Sequence, residues 1–118
     1  MPSLRTPEVV AKYLAHRESR KGSDSCELCE KLATKEFTYW KVVENDFPYG
    51  QIAKTHHMLV PLRHTTEDGL TDSELAEQKL IKRGFVNEGY DWIIEATHKN
   101  RSIPSHFHLH LIVQKESA

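Results

Sequence analysis

The chain of 118 residues has only two cysteines and no apolar run of membrane-spanning length. A helix that crosses a bilayer needs roughly 18 consecutive apolar residues, so we expect no transmembrane segment. The first residues, Met1 to Arg5, do not resemble a secretory signal, which favours a cytoplasmic location. A formal charge of −1 excludes a strong overall attraction to nucleic acids or anionic membranes.

The order of sequence patterns predicts an α+β fold with mainly antiparallel strands and helices on one side. Thr6-Pro7-Glu8 is typical of a helix start, with an apolar stripe from Val9 to Leu14. Thr71 to Glu74 is a capping box that opens a second helix, expected to end near Gly84. We expect strands at residues 37–43, 57–61 and 90–95, before a last strand rich in histidine. The length fits a single domain spanning residues 1–118.

The two cysteines form a Cys-Glu-Leu-Cys motif at Cys26 and Cys29. In a reducing compartment this spacing indicates either half of a zinc site or a redox pair. A redox pair normally opens a helix beside a βαβ pattern, whereas this motif follows the polar stretch 18–25. The context therefore favours a metal, with the redox role left as an alternative.

The most informative stretch runs from His106 to Ile112, where three histidines alternate with apolar residues. Alternation predicts a half-buried strand, with side chains two residues apart on one face and about 6–7 Å apart. Phe107, Leu109 and Leu111 should then enter the core while the imidazoles line the opposite face. Imidazole can act as a ligand, a nucleophile or an acid near neutral pH, so such a stripe suits metal binding or phosphate chemistry.

Two fragments together resemble the histidine-triad (HIT) superfamily of nucleotide hydrolases and transferases. His106 to Ile112 matches the family pattern His-φ-His-φ-His-φ-φ, and His56 to His64 matches its block His-x-Leu-Val-x-Pro-x-x-His, with Met58 in the first aliphatic place. The resemblance implies an antiparallel sheet of about five strands, a central helix and an N-terminal helix. It implies a core at residues 26–115, preceded by a helix and loop at 1–25.

The cysteine pair resembles the zinc-carrying branch of that superfamily. The resemblance implies four ligands: Cys26, Cys29, His64 and His106. A closed Cys2His2 set is structural, because no open position remains for a metal-bound water. Zinc is thus expected as a brace, and His56 and His57 are expected to lie outside the site.

The remaining histidines are implied to carry the chemistry. His108 would attack the α-phosphorus of a purine nucleoside phosphoramidate, adenylate or dinucleoside polyphosphate, forming a nucleotidyl-histidine intermediate. His110 would hold the phosphate oxygens and supply charge or a proton to the leaving group. The resemblance therefore implies a phosphoramidase or dinucleoside polyphosphate hydrolase with a purine nucleotide substrate.

The sequence departs from the family pattern just before the triad. Glu95 stands where many relatives carry an asparagine that orients the nucleophile, and it could accept a hydrogen bond from that imidazole. The approach at residues 100–105 resembles the aprataxin-like branch, which removes AMP from adenylated DNA ends. Ser102, Ser105 and Arg101 are therefore candidate phosphate contacts, and Asp46 is a candidate ribose contact.

These departures leave two alternatives to the small-molecule hydrolase. One is an aprataxin-like DNA-adenylate hydrolase, although the net charge of −1 provides no electrostatic attraction to a DNA duplex. The other is a catalytically weak nucleotide-binding module. Relatives are commonly homodimers, and Trp40, Trp92 or the helix from Thr71 to Gly84 could supply such a surface.

Overall fold

A computed structural model describes residues 4–23, 25–101 and 103–116. None of the helices in these ranges is long and apolar enough to cross a membrane. The helices are α1 (Pro7–Ser19), α2 (Glu27–Glu30), α3 (Asp72–Ile81) and α4 (Asn87–Gly89), with a π-helical turn at Lys82–Val86 and 3-10 turns at Glu67–Gly69 and His98–Asn100. The strands are β1 (Lys35–Glu36), β2 (Trp40–Glu44), β3 (Ala53–Pro61), β4 (Trp92–Ile94) and β5 (Leu109–Gln114).

The five strands form one antiparallel sheet in the order β1-β2-β3-β5-β4. The α+β prediction and the expected five strands are confirmed. Strand β5 lies between β3 and β4, so both of its edges are hydrogen-bonded to a neighbouring strand. In this register His110 faces Met58 of β3 on one side and Ile94 of β4 on the other.

The two faces of the sheet bury two separate apolar clusters. Trp40, Leu59 and Leu109 belong to the larger cluster, which also takes in Ile81 at the end of α3. The indole N–H of Trp40 donates to the carbonyl of Glu74 at 2.8 Å, which fixes α3 against β2. Trp40 is completely buried, so its suggested role in a dimer surface is wrong.

The smaller cluster lies on the opposite face of the sheet. It joins Val43, Met58 and Val60 to Leu28 of α2. Because successive residues of a strand point to opposite faces, Met58 and Val60 share this face while Leu59 enters the larger cluster. Cys26 packs against this smaller cluster, which therefore supports the start of the cysteine motif.

The strand predicted over 37–43 begins only at Trp40, because residues 37–39 form the turn that joins β1 to β2. The N–H of Phe37 donates to the carbonyl of Trp40 at 2.7 Å, which closes a turn between β1 and β2. The second predicted helix is also longer than expected, because the π-helical turn and α4 continue it past Gly84 to Gly89. In both places the local pattern identified the element but not its bounds.

Helix α1 begins at the predicted Thr6 cap, whose hydroxyl accepts from the N–H of Val9. The expected apolar stripe does not enter a core, since no residue of α1 is buried and Leu14 is 57% exposed. Aromatic contacts hold the helix instead: the rings of Tyr13 and His16 lie 5.6 and 5.0 Å from that of Phe47. This packing places α1 over the turn between β2 and β3.

Candidate functional site

The three histidines of the motif lie side by side on the face of the sheet opposite the larger cluster. Their side chains are 0–4% exposed, while the alternating residues Phe107, Leu109 and Leu111 are in the larger cluster as predicted. The strand itself begins later than predicted, at Leu109, so His106 precedes it. The N–H of Phe107 donates to the carbonyl of Thr65 at 2.7 Å, outside the β3–β5 ladder, which explains the late start.

The four predicted ligands converge at one point of the structure. The ligand atoms of Cys26, Cys29, His64 and His106 all lie within 4.8 Å of one another. The sulfurs of both cysteines are 3.4 Å from Nδ1 of His106, and the sulfur of Cys29 is 3.4 Å from Nδ1 of His64. In a tetrahedral zinc site, sulfur and nitrogen ligands lie roughly 3.5 Å apart, so this group could bind a metal of that kind.

The hydrogen bonding of His106 supports its use as a ligand. Its Nε2–H donates to the carbonyl of Pro61 at 2.9 Å, which leaves the Nδ1 lone pair directed at the cysteines. A ligand histidine is normally oriented in this way, by a hydrogen bond from its other nitrogen. Cys26 caps α2, Cys29 lies within it, and His64 follows β3, so a bound metal would tie α2 to the sheet.

The middle histidine has one nitrogen held and one available. Nδ1–H of His108 donates to the carbonyl of His106 at 3.0 Å, so the lone pair is on Nε2. Burial lowers the pKa of His108, with a further contribution from the charge of Arg101 and an opposing one from the bond to His106. The ring is therefore neutral near pH 7 and carries a usable lone pair.

His108 forms part of the wall of a cavity of about 370 Å³, called here the first cavity. Phe47, Leu28, Met58 and Ile103 give it apolar surface, and Tyr13 of α1 lies on its outer side. Volumes of this order accommodate small-molecule ligands. His108 is thus beside a space that is lined by apolar side chains and by many polar and charged ones.

Of the candidate contacts that the structure describes, two line the first cavity, whereas Glu95 and Arg101 do not. Asp46 and Ser105 line it, and the carboxylate of Asp46 is 2.7 Å from the ammonium of Lys31. Glu95 is exposed and pairs with Arg101 at 3.5 Å, while the hydrogen bond of His108 goes to backbone. Ser102 lies outside the described residues.

A fourth histidine belongs to the site, although the sequence analysis placed it outside. Nε2 of His56 lies 2.7 Å from Nδ1 of His110, and the N–H of Tyr49 donates to Nδ1 of His56 at 2.9 Å. Strand parity could have found it: His56 is two residues from Met58, which faces His110 across the sheet. Even-numbered residues of β3 therefore share the face of the triad.

The backbone N–H of Tyr49 fixes the protons along this chain of rings. It makes Nδ1 of His56 an acceptor, so Nε2 of His56 carries the proton and donates to His110. His110 then carries its own proton on Nε2, which is 3.3 Å from the hydroxyl of Tyr49. The amide nitrogen of Asn45, also 3.3 Å from Nε2 of His56, is then a contact rather than a hydrogen bond.

Burial is the main cause of the low basicity of these two rings. It lowers the pKa of His56 to about 3, with help from Arg5, His57 and His108. It lowers the pKa of His110 to about 2, and the neighbouring charges of His108, His56 and Arg5 act in the same direction. Both rings are thus neutral hydrogen-bonding groups across the physiological range.

Comparison of the sequence with protein-family models gives no match, and comparison with curated proteins gives none either. The structure is similar to those of a histidine triad protein from Clostridium difficile (17% identity, TM-score 0.54) and a histidine triad nucleotide-binding protein from Candida albicans (21%, 0.55). It is also similar to a HIT family hydrolase from Legionella pneumophila (20%, 0.53). These comparisons cover 78–80% of this chain and 92%, 76% and 96% of the three others. The chain therefore has the fold of the histidine triad proteins, with the triad motif at the start of β5, which lies between β3 and β4.

Proposed function

We propose that this protein is a nucleotide hydrolase or transferase that works through a covalent nucleotidyl-histidine at His108. One observation carries the proposal: His108 lines the first cavity, and the backbone carbonyl of His106 holds its Nδ1–H, so that the lone pair is on Nε2. A neutral imidazole in this position is a competent nucleophile. The solved structures with this fold include a nucleotide-binding protein and a hydrolase.

The reaction proceeds in two displacements. Nε2 of His108 bonds to the α-phosphorus while the P–N or P–O bond to the leaving group breaks, and the leaving group takes the bonding electron pair. Water then attacks the phosphorus and gives up a proton to solvent, the P–Nε2 bond breaks, and the nucleotide leaves with the new oxygen while His108 regains its lone pair. Direct attack of water on the phosphate anion is slow, so dividing the reaction into two displacements lowers the activation barrier.

His110 would assist this transfer. Its ring centroid is 5.1 Å from that of His108, and its Nε2 carries the proton fixed by the chain from Tyr49. That N–H can bind a phosphate oxygen or be passed to the departing atom. His56 is a positioning residue, since it holds the other nitrogen of His110 at 2.7 Å.

The first cavity suits the nucleoside half of the substrate. Phe47 and Leu28 offer apolar surface to a purine, and the carboxylate of Asp46 can accept hydrogen bonds from ribose hydroxyls. Lys31, which pairs with Asp46 in this structure, also lines the cavity. Ser105 and His108 line the same cavity, so the Ser105 hydroxyl is a candidate contact of the α-phosphate.

Zinc is the metal that fits the Cys2His2 group best, because its tetrahedral sites use these donors. All four ligands are protein atoms, so the metal would brace the fold rather than activate water. Its effect on the chemistry would pass through His106, whose carbonyl holds Nδ1 of His108. A homodimer and a cytoplasmic location remain predictions from the sequence.

The test is hydrolysis of adenosine 5′-phosphoramidate by the purified protein. We expect release of AMP, and we expect His108→Ala to lower kcat/KM at least a thousandfold while retaining the native fold. His98→Ala, at an exposed histidine on the 3-10 turn, is the matched control and should keep the activity. Equal rates for His108→Ala and the native protein would exclude His108 as the nucleophile.

A further inference from the structure

We propose that Tyr49 is a further catalytic residue of this site, and that its hydroxyl gives the leaving group a proton as the bond to the α-phosphorus breaks. This inference rests on the proposed function and names the acid of its first step. Tyr49 belongs to the turn between β2 and β3, and its hydroxyl lies 3.3 Å from Nε2 of His110. A substrate atom that meets this nitrogen is therefore also near the hydroxyl.

The turn holds Tyr49 in place from several sides. The carbonyl of Tyr49 accepts hydrogen bonds from the N–H groups of Ile52 and Ala53 at 3.0 and 2.9 Å. Its own N–H donates to Nδ1 of His56 at 2.9 Å. The centroid of its ring lies 4.4 Å from that of His56 and 4.9 Å from that of His110. The hydroxyl is thus fixed before a substrate binds, which is what makes a catalytic group effective.

The chain of hydrogen bonds determines the direction of the hydroxyl proton. It starts at the N–H of Tyr49, passes through His56 and His110, and returns to the hydroxyl of the same tyrosine. Because His110 carries its proton on Nε2, the hydroxyl oxygen accepts, and its own hydrogen is directed away from His110. The hydroxyl can therefore donate to a substrate atom while it keeps the hydrogen bond from His110.

The phenol of Tyr49 is a better acid than the ring of His110. The pKa of His110 is about 2, so this ring carries no second proton near pH 7, and a neutral imidazole holds its remaining proton more tightly than a phenol does. Burial raises the pKa of Tyr49 and keeps its hydroxyl protonated, while the charge of Arg5 acts in the opposite direction. The guanidinium of Arg5 is 5.0 Å from the centroid of the Tyr49 ring, so a positive charge is close to the phenolate that remains after proton transfer.

Tyr49 is also easier for a substrate to reach than His110. His110 is 2% exposed, whereas Tyr49 is half-buried. Both residues line a cavity of about 380 Å³. This cavity adjoins the first cavity, which His108 lines, because three residues line both: Arg5, Tyr13 and Arg17. A leaving group on a nucleotide at His108 can thus approach Tyr49 from the adjoining space.

The proton of Tyr49 moves once in each displacement. In the first, the leaving atom takes the electron pair of its bond to phosphorus and accepts the proton as the Tyr49 O–H bond breaks. The phenolate that remains accepts a hydrogen bond from Nε2–H of His110. In the second, the attacking water gives a proton to solvent and the phenolate takes one from solvent, so Tyr49 returns to its starting state.

The experiment compares Tyr49→Phe with the native protein on two substrates that share the adenylate half, adenosine 5′-phosphoramidate and the 4-nitrophenyl ester of AMP. The nitrogen of the phosphoramidate must be protonated to leave, whereas 4-nitrophenolate leaves as a stable anion. Phenylalanine keeps the ring and the backbone N–H and removes only the hydroxyl. General acid catalysis contributes about a hundredfold or more, so kcat/KM should fall about a hundredfold for the phosphoramidate and stay close to the native value for the ester.

Tyr90→Phe is the matched control. The hydroxyl of Tyr90 is also hydrogen-bonded to a histidine, through Nδ1 of His57, but neither residue lines either cavity. This variant should leave kcat/KM for both substrates unchanged.

Each outcome decides the proposal. A loss that is confined to the phosphoramidate, with Tyr90→Phe unaffected, supports Tyr49 as the acid. An equal loss on both substrates overturns it, because a hydroxyl that only positions His110 or supports the fold affects both leaving groups alike. No loss on either substrate overturns it in favour of His110 as the donor. Absence of turnover of both substrates by the native protein, with the fold intact, overturns the proposed function and this inference together.

Discussion

The buried histidine pair predicts a steep loss of stability in mild acid, and His56→Asn is the perturbation that isolates it. Folding lowers the pKa of His56 from the usual 6.5 to about 3, and that of His110 from 6.5 to about 2. The unfolded chain therefore binds protons below pH 6.5 that the folded chain does not. The stability from these neutral rings is fully present above pH 6.5 and is lost as the pH falls.

The size of this effect follows from linkage. At pH 5 an unfolded histidine with a pKa of 6.5 is protonated, which favours unfolding by about 2 kcal/mol for each ring that stays neutral in the fold. His56 and His110 together thus remove about 4 kcal/mol between pH 7.5 and pH 5. This is a large share of the 5–15 kcal/mol that is typical of a domain, so we expect unfolding near pH 5 in modest denaturant.

Urea unfolding at several pH values between 5 and 7.5 measures the slope. His56→Asn removes one ring of this pair. Below pH 6.5 the free energy of unfolding of the variant should therefore fall less steeply than that of the native protein, with a slope that is smaller by about 1.4 kcal/mol per pH unit. His98→Asn is the matched control, because His98 is exposed and its solvation changes little on unfolding. A slope for His56→Asn equal to that of the native protein would refute the account of a neutral buried pair.

Three further predictions concern the metal group and the fold. The purified protein should hold about one zinc per chain, and Cys29→Ser should lower both the zinc content and the Tm; native stability without any metal would contradict the brace. Thr71→Ala should cost about 1 kcal/mol in urea unfolding because it breaks the capping box with Glu74, whereas Thr66→Ala, at a cap without a side-chain bond, should cost less. Leu109→Ala should cost about 3 kcal/mol, since Leu109 is 1% exposed in the larger cluster, and a loss below 1 kcal/mol would show that the cluster is loosely packed.

Features encoded within a few residues could be predicted from the sequence. The capping box at Thr71 and the cap at Thr6 are local hydrogen-bonding patterns, and both helices begin there. The alternation from His106 to Ile112 predicts which residues share a face of the sheet, and the apolar residues Phe107, Leu109 and Leu111 enter the core as expected. The convergence of the four metal-ligand candidates followed from a family resemblance rather than from local chemistry.

Features that depend on how distant segments meet could not be predicted. The apolar stripe on α1 is not buried, and aromatic contacts with Phe47 hold the helix at the surface. His56 was placed outside the site because its role depends on the register between β3 and β5. A cavity of about 380 Å³ beside His110 brings Arg17 of α1 together with Lys99 and Arg101, and no local pattern in the sequence signals that meeting.

Intact-mass analysis of the protein during turnover tests the central claim most directly. The protein is mixed with excess adenosine 5′-phosphoramidate, quenched in alkali to preserve a phosphorus–nitrogen bond, and digested to locate any adduct. The account predicts one adenylate per chain, attached to His108, and no adduct in His108→Ala. Rapid turnover with no adduct, or an adduct on another residue, would contradict nucleophilic catalysis by His108.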